Sequence, residues 1–227
     1  MLINKIRPII YVSGPYSTFG DPKKNVEIAT KYSNNLRKIG FAVISPHNNS
    51  GVPEDDMTWG LFMQEDYSLI LMSHGLFMLP DWDKSKGAVI EHEWAKELGI
   101  PIFYSDTKNS EEFVEISQYF FNENSVWEKS PNQVHEFLKI IFTMFRLHLK
   151  KNADYSPRNV LGVGEVGLAT RLFDKNCRLM NLIGFNTDTG EYSTPKSAKN
   201  ESIEDTLLDQ ANYSIIWLIY RMKKWGR

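Results

Sequence analysis

The stretch P-I-I-Y-V-S-G-P-Y, residues 8–16, decides the fold. A short apolar run ends at Ser13, and the turn signal Gly14-Pro15 follows directly, so the segment reads as a buried strand. Asp21 then stands where a helix N-cap belongs, with Pro22 at the first helical position. Val26, Ala29, Tyr32 and Leu36 keep helical spacing up to Gly40, a suitable stop. The same alternation repeats downstream. F-A-V-I-S (41–45) is a second strand, 47–56 a polar loop, and 58–71 a helix carrying Trp59, Phe62, Met63 and Leu69. G-L-F-M-L (75–79) is a third strand, 80–86 a loop, and 87–98 a helix that Gly99-Ile100-Pro101 breaks before a last strand at 102–104. Strands alternating with helices through short connections predict a parallel sheet covered on both faces, a flavodoxin- or Rossmann-like α/β domain. Ligands of such sheets bind beyond the carboxyl ends of the strands, which here selects 14–17, 46–49 and 80–87.

The remainder has another character. Residues 107–130 are acidic and polar with one amphipathic patch at 113–121, and read as a linker with a helix in it. Helical periodicity then dominates over 133–151, 165–183 and 203–225, with loops at 152–161 and 184–200. The expected organisation is an α/β domain over 1–106, a linker over 107–130 and an all-α domain over 131–227.

Composition narrows the function classes. The 26 Lys and Arg stand against 28 Asp and Glu, a formal net charge of −2, with no basic stripe. This argues against a polymeric nucleic acid partner and leaves single nucleotides open. Cys177 is the sole cysteine, which fits a reducing compartment. No apolar run approaches the roughly 20 residues of a membrane helix, and the start M-L-I-N-K-I-R-P lacks the apolar core of a signal peptide. A cytoplasmic protein with no membrane partner is expected.

Chemistry concentrates in D-W-D-K-S-K-G-A-V-I-E, residues 81–91. Ser85 and Gly87 stand at a helix entrance, where unpaired N–H groups and the positive dipole end favour an anion. Glu91 follows about one turn later on the side of Gly87, and Gly87 permits close approach of a ligand to the backbone. Taken singly these residues have plainer readings: a helix glutamate as a solvated charge, Ser85 as an N-cap, Trp82 as packing. Read together, Y-V-S-G-P-Y (11–16) and S-x-G-x-x-x-E (85–91) resemble the nucleoside 2-deoxyribosyltransferase superfamily, which includes the nucleoside-monophosphate N-glycosidases. The form D-W-x-x-S-x-G-A-x-x-E looks most like that superfamily's poorly characterised phage and bacterial relatives. The resemblance spans about the first 105 residues. It implies Glu91 as nucleophile, Tyr11 as its hydrogen-bond donor, and Asp66 (with Glu65 as rival) as the acid assisting the departing base. It further implies a substrate site built from Gly14, Pro15, Tyr16, Ser17, Trp82, Ser85 and Gly87, without a cofactor. Ser85 stands where the family's transferases acting on free nucleosides tend to have aspartate and its monophosphate hydrolases have serine, so the resemblance implies a 5′-phosphorylated substrate. P-Y-S-T-F-G (15–20) departs from the family's basic, glycine-rich phosphate loop, so Lys23, Lys24 or Lys86 would have to replace it.

In the C-terminal half, Asp205 and Asp209 lie four residues apart and share a helix face with Glu201. Like charges so placed need a positive partner. Mg²⁺ is one candidate, with Glu165 and Asp174 as further donors; Arg171, Lys175 and Arg178 are the alternative. This half resembles a helical domain associated with nucleotide modification and, more distantly, MazG-like pyrophosphatases. The overall expectation is a homo-oligomeric nucleotide-metabolising enzyme that cleaves or transfers the N-glycosidic bond of a 2′-deoxynucleoside 5′-monophosphate. The rivals are a binding protein that sequesters a nucleotide without turnover, and a Mg²⁺-dependent phosphohydrolase housed in the helical domain.

Overall fold

The computed structural model describes residues 6–17, 19–48, 58–105, 113–154, 156–195 and 202–226. The chain divides into two compact units, Met1–His135 and Glu136–Arg227.

In the first unit, strands β1 (Ile9–Ser13), β2 (Ala42–Ile44), β3 (Gly75–Met78) and β4 (Ile102–Tyr104) form one parallel sheet in the order β2-β1-β3-β4. This is a flavodoxin-like arrangement, and the order reverses between β1 and β3. Helix α1 (Pro22–Ile39) starts as its sequence dictates. The Asp21 side chain accepts from the Lys23 N–H at 3.0 Å, Pro22 opens the first turn, and Gly40 ends the helix at φ 127°. Helices α2 (Trp59–Leu71) and α3 (Lys86–Glu97) follow β2 and β3.

Alternation along β1 sorts its side chains. Ile10 and Val12 join Ala29, Tyr32 and Leu36 of α1 in one core layer. Tyr11 joins Ile70 of α2 and Ala88 and Ala95 of α3 in the other. Glycine is required at Gly14, where a Cβ would lie 2.6 Å from the Cβ of Leu79. The chains leaving β1 and β3 therefore touch at the switch point, tied by the Leu79 N–H to the Ser13 carbonyl at 2.8 Å.

The stretch expected as a linker is largely part of this unit. Residues 106–112 lie outside the described residues, but helix α4 (Val114–Phe121) buries Ile116 and Phe120 in the α1 layer, where Phe113, Phe121 and Trp127 also pack. Its apolar spacing reflects a core face, and α5 (Val126–Lys129) continues it.

The second unit is helical: most of α6 (Pro131–Asp154), then α7 (Arg158–Leu161), α8 (Gly164–Leu182) and α9 (Ile203–Arg221). Helix α7 occupies part of the expected 152–161 loop, with Val160 buried beside Leu168 and Trp225. Ser202 and Asp205 close a capping box on α9. Among the described residues no helix is long and apolar enough to cross a membrane.

Candidate active site

Three of the predicted residues meet on the α2/α3 face of the sheet. On α3 the buried positions are Ala88, Glu91, His92 and Ala95, a helical stripe with an acid in it. Glu91 is 6% exposed. On α2 the buried Met63 and Ile70 bracket Asp66 at i+3 and i+7, so Asp66 shares their face while Glu65 is exposed. Of the two acids, Asp66 is the one this spacing turns toward Glu91. Tyr11, fully buried in the middle of β1, points to the same side.

The hydrogen bonding is specific. The Tyr11 hydroxyl donates to Glu91 Oε1 at 2.9 Å. The Ser13 hydroxyl, two residues on and hence on the same face of β1, donates to Glu91 Oε2. Both oxygens of the carboxylate are thus held by hydroxyls of one strand. Asp66 interacts with both the Tyr11 hydroxyl and the Glu91 carboxyl. Ser13 was not among the residues the sequence singled out, although the period of two from Tyr11 is the signal that would have found it.

Burial dominates the electrostatics. It pushes Glu91 up from the ordinary 4.5 to about 7; the Ser13 and Tyr11 hydroxyls pull it down, and the nearby Asp66 charge raises it. Asp66 is also raised, first by burial. Tyr11 is raised well above its ordinary value by burial and by Glu91, so it remains a protonated donor. Burial therefore works against ionisation of both neighbouring carboxyls.

The surrounding loops are built from the other predicted residues. Ser85 is buried and caps α3, its Oγ accepting from the Ala88 N–H at 3.5 Å. Its cap role is thus on view, one and a half turns before Glu91. A Cβ at Gly87 would meet only the Met63 sulfur at 3.8 Å, an ordinary contact, so packing does not demand glycine there. His47, just after β2, donates from Nε2 to the carbonyl of Pro15 in the loop after β1 at 2.9 Å and meets the Tyr16 ring edge-on, while Ser17 is exposed. The Asn25 amide donates to the Tyr16 and Phe19 carbonyls at 2.8 and 2.6 Å, fixing this loop to α1. Trp82 stacks on His92 at 4.4 Å, and His92 Nε2 lies 2.8 Å from the Tyr104 hydroxyl, so the ring is anchored at the carboxyl ends of β3 and β4. Of the lysines considered for phosphate, Lys86 lies over the Trp59 ring at 4.7 Å, and Lys23 and Lys24 are exposed on α1.

In the second unit three acidic residues considered for a metal, Asp209, Asp205 and Glu165, have protein partners. Asp209 is bracketed by Lys151 of α6 at 2.9 Å and Lys175 of α8 at 2.7 Å, and these hydrogen bonds bring its pKa down despite the opposing effect of burial. Asp205 accepts from the Ser202 N–H and hydroxyl as part of the cap. Glu165 accepts from the Trp217 indole and pairs with Arg221. Glu201 lies outside the described residues. Among those described, no group of three or more His, Cys, Asp or Glu is arranged to hold a metal. Lys151 and Lys175 supply positive charge beside Asp209.

Fold and site define a flavodoxin-like α/β unit with a buried, doubly hydrogen-bonded carboxylate at its switch-point side. A family model described as a domain of unknown function, DUF4406, matches residues 8–104. Among solved structures, the chain is similar to a 2-deoxyribosyltransferase from Bacillus psychrosaccharolyticus at 21% identity and TM-score 0.35, covering 55% of this chain and 90% of that one. It is similar to a conserved protein from Enterococcus faecalis V583 at 19% identity and TM-score 0.37, covering 57% and 80%. No curated protein matches the chain.

Proposed function

We propose that the first unit cleaves the N-glycosidic bond of a 2′-deoxynucleoside 5′-monophosphate, with Glu91 as nucleophile. The observation that carries this reading is the Glu91 carboxylate buried in the apolar stripe of α3, with Tyr11 and Ser13 on its two oxygens and Asp66 beside it. Burying a carboxylate is costly unless it is hydrogen-bonded, and a fold keeps such a group for chemistry more readily than for packing. Sequence adds the substrate class through the motifs at 11–16 and 85–91.

Two acids in different surroundings suit this reaction. As the C–N bond lengthens, positive charge grows at the anomeric carbon and favours the ionised form of Glu91. Asp66, whose protonated form burial favours, supplies the proton to the departing base. A Glu91 oxygen bonds to the anomeric carbon as the C–N bond breaks, giving a glycosyl ester and free base. Water attacking the same carbon gives its proton to the now ionised Asp66 and releases Glu91 and the sugar phosphate; a second base attacking instead loses its proton in the same way and gives transfer. The α3 entrance, where Ser85 stands, is the seat for the 5′-phosphate.

The test is acid quenching during turnover followed by peptide mass spectrometry. A deoxyribosyl-phosphate increment on the peptide containing Glu91, absent in Glu91→Gln, is expected. An increment on another residue would overturn the assignment. Asp66→Asn should slow release most for bases that are poor leaving groups, and equal slowing for all bases would remove Asp66 from the proton path.

A further inference from the structure

We propose that Ser13 is a positioning residue for Glu91: its hydroxyl holds the second carboxylate oxygen, and together with Tyr11 it fixes the plane of the nucleophile and keeps it ionisable. The inference rests on the functional reading above for its catalytic consequence, though not for its physical content. Tyr11 and Ser13 alternate on one strand, so the two donors are spaced by a rigid backbone and reach one carboxylate from one side. Ser13 is 1% exposed, and the hydrogen bond that its hydroxyl makes is the one to Glu91 Oε2. A carboxylate with one oxygen tied rotates about its last torsion; with both tied it does not. The lone pair that meets the anomeric carbon is then presented in one direction.

The groups facing Glu91 are the Tyr11 hydroxyl and the Ser13 hydroxyl from β1 and the Asp66 carboxyl from α2, with Glu65 acting on it only through Asp66. Of these, Ser13 opposes the effect of burial most. Removing it leaves Tyr11 as the remaining donor against burial and the Asp66 charge.

The experiment is a carbon-13 titration of glutamate side-chain carboxyls in the full chain, with the Glu91 resonance assigned through Glu91→Gln. In Ser13→Ala the Glu91 midpoint should rise by about one pH unit, the size expected for losing a hydrogen bond to a charged group. Ser13→Thr, which restores a hydroxyl, should return it toward the wild-type value. An unchanged midpoint in Ser13→Ala, with the fold intact by circular dichroism, would overturn the proposal. If Ser13→Ala does not fold, Ser13→Cys, a weaker donor of similar shape, should give a smaller shift in the same direction, and no shift there would refute it equally. The acidic limb of kcat/KM against pH should move by the same amount as the titration. A midpoint that moves in a protein without any base release would leave the positioning intact and sink the glycosidic reading instead.

Discussion

Replacing Glu91 by glutamine should stabilise the first unit at pH 8 relative to wild type, and much less at pH 5. In the folded protein Glu91 titrates at about 7 against an ordinary 4.5, because burial penalises its charged form. A carboxyl raised on folding contributes stability below its unfolded pKa and loses it as pH rises through the folded one. Wild type should therefore lose stability between about pH 4.5 and 7.5. Titration at about 7 in place of 4.5 corresponds to about 3 kcal/mol, an upper figure because Asp66 shares the titration. Glutamine keeps the shape and cannot ionise, so the variant escapes most of this loss. The assay is urea unfolding followed by tryptophan fluorescence at several pH values, and Trp82 and Trp94 both pack beside the site. Titrating groups that do not touch Glu91 cancel in the difference between the two proteins, which leaves Glu91 and its coupled neighbour Asp66. A difference that stays constant from pH 5 to 8 would refute the claim that Glu91 is held against ionisation.

Two further outcomes follow from the packing. Gly14→Ala puts a methyl 2.6 Å from the Leu79 Cβ and should cost about 1–3 kcal/mol by overpacking, read as a lower urea midpoint; an unchanged midpoint would mean the switch-point contact is not tight. Asp209→Asn should destabilise the second unit by about 1–2 kcal/mol, because Lys151 and Lys175 lose the negative charge and one of its two acceptor oxygens, and millimolar Mg²⁺ should leave the wild-type melting temperature unchanged. A Mg²⁺-dependent rise that Asp209→Asn abolishes would reinstate a cation at this face.

Local signals carried much of this architecture. The Asp21 cap, Pro22 and Gly40 bound α1 where the sequence places them, since capping and φ preference act within a few residues. The sheet was legible because each strand ends at a turn signal. Asp66 over Glu65 is legible in retrospect from the 63/66/70 spacing, but only once the apolar face of α2 is known. Ser13 escaped because a serine closing a strand reads as punctuation, and its role depends on Glu91, 78 residues away. Phe113, Ile116 and Phe120 lie beyond an acidic stretch that resembles a linker, and only tertiary packing shows that they complete the α1 layer. The lysine pairing of Asp209 likewise joins three helices, and spacing along one helix cannot reveal it.

The central claim is that Glu91 breaks a glycosidic bond. Incubating the protein with a panel of 2′-deoxynucleoside 5′-monophosphates and separating free bases by chromatography tests it directly, with Glu91→Gln alongside. The account predicts base release from at least one nucleotide by wild type, and a loss of several orders of magnitude in the variant. Base release by Glu91→Gln at a near-normal rate, with the fold unchanged, would contradict it.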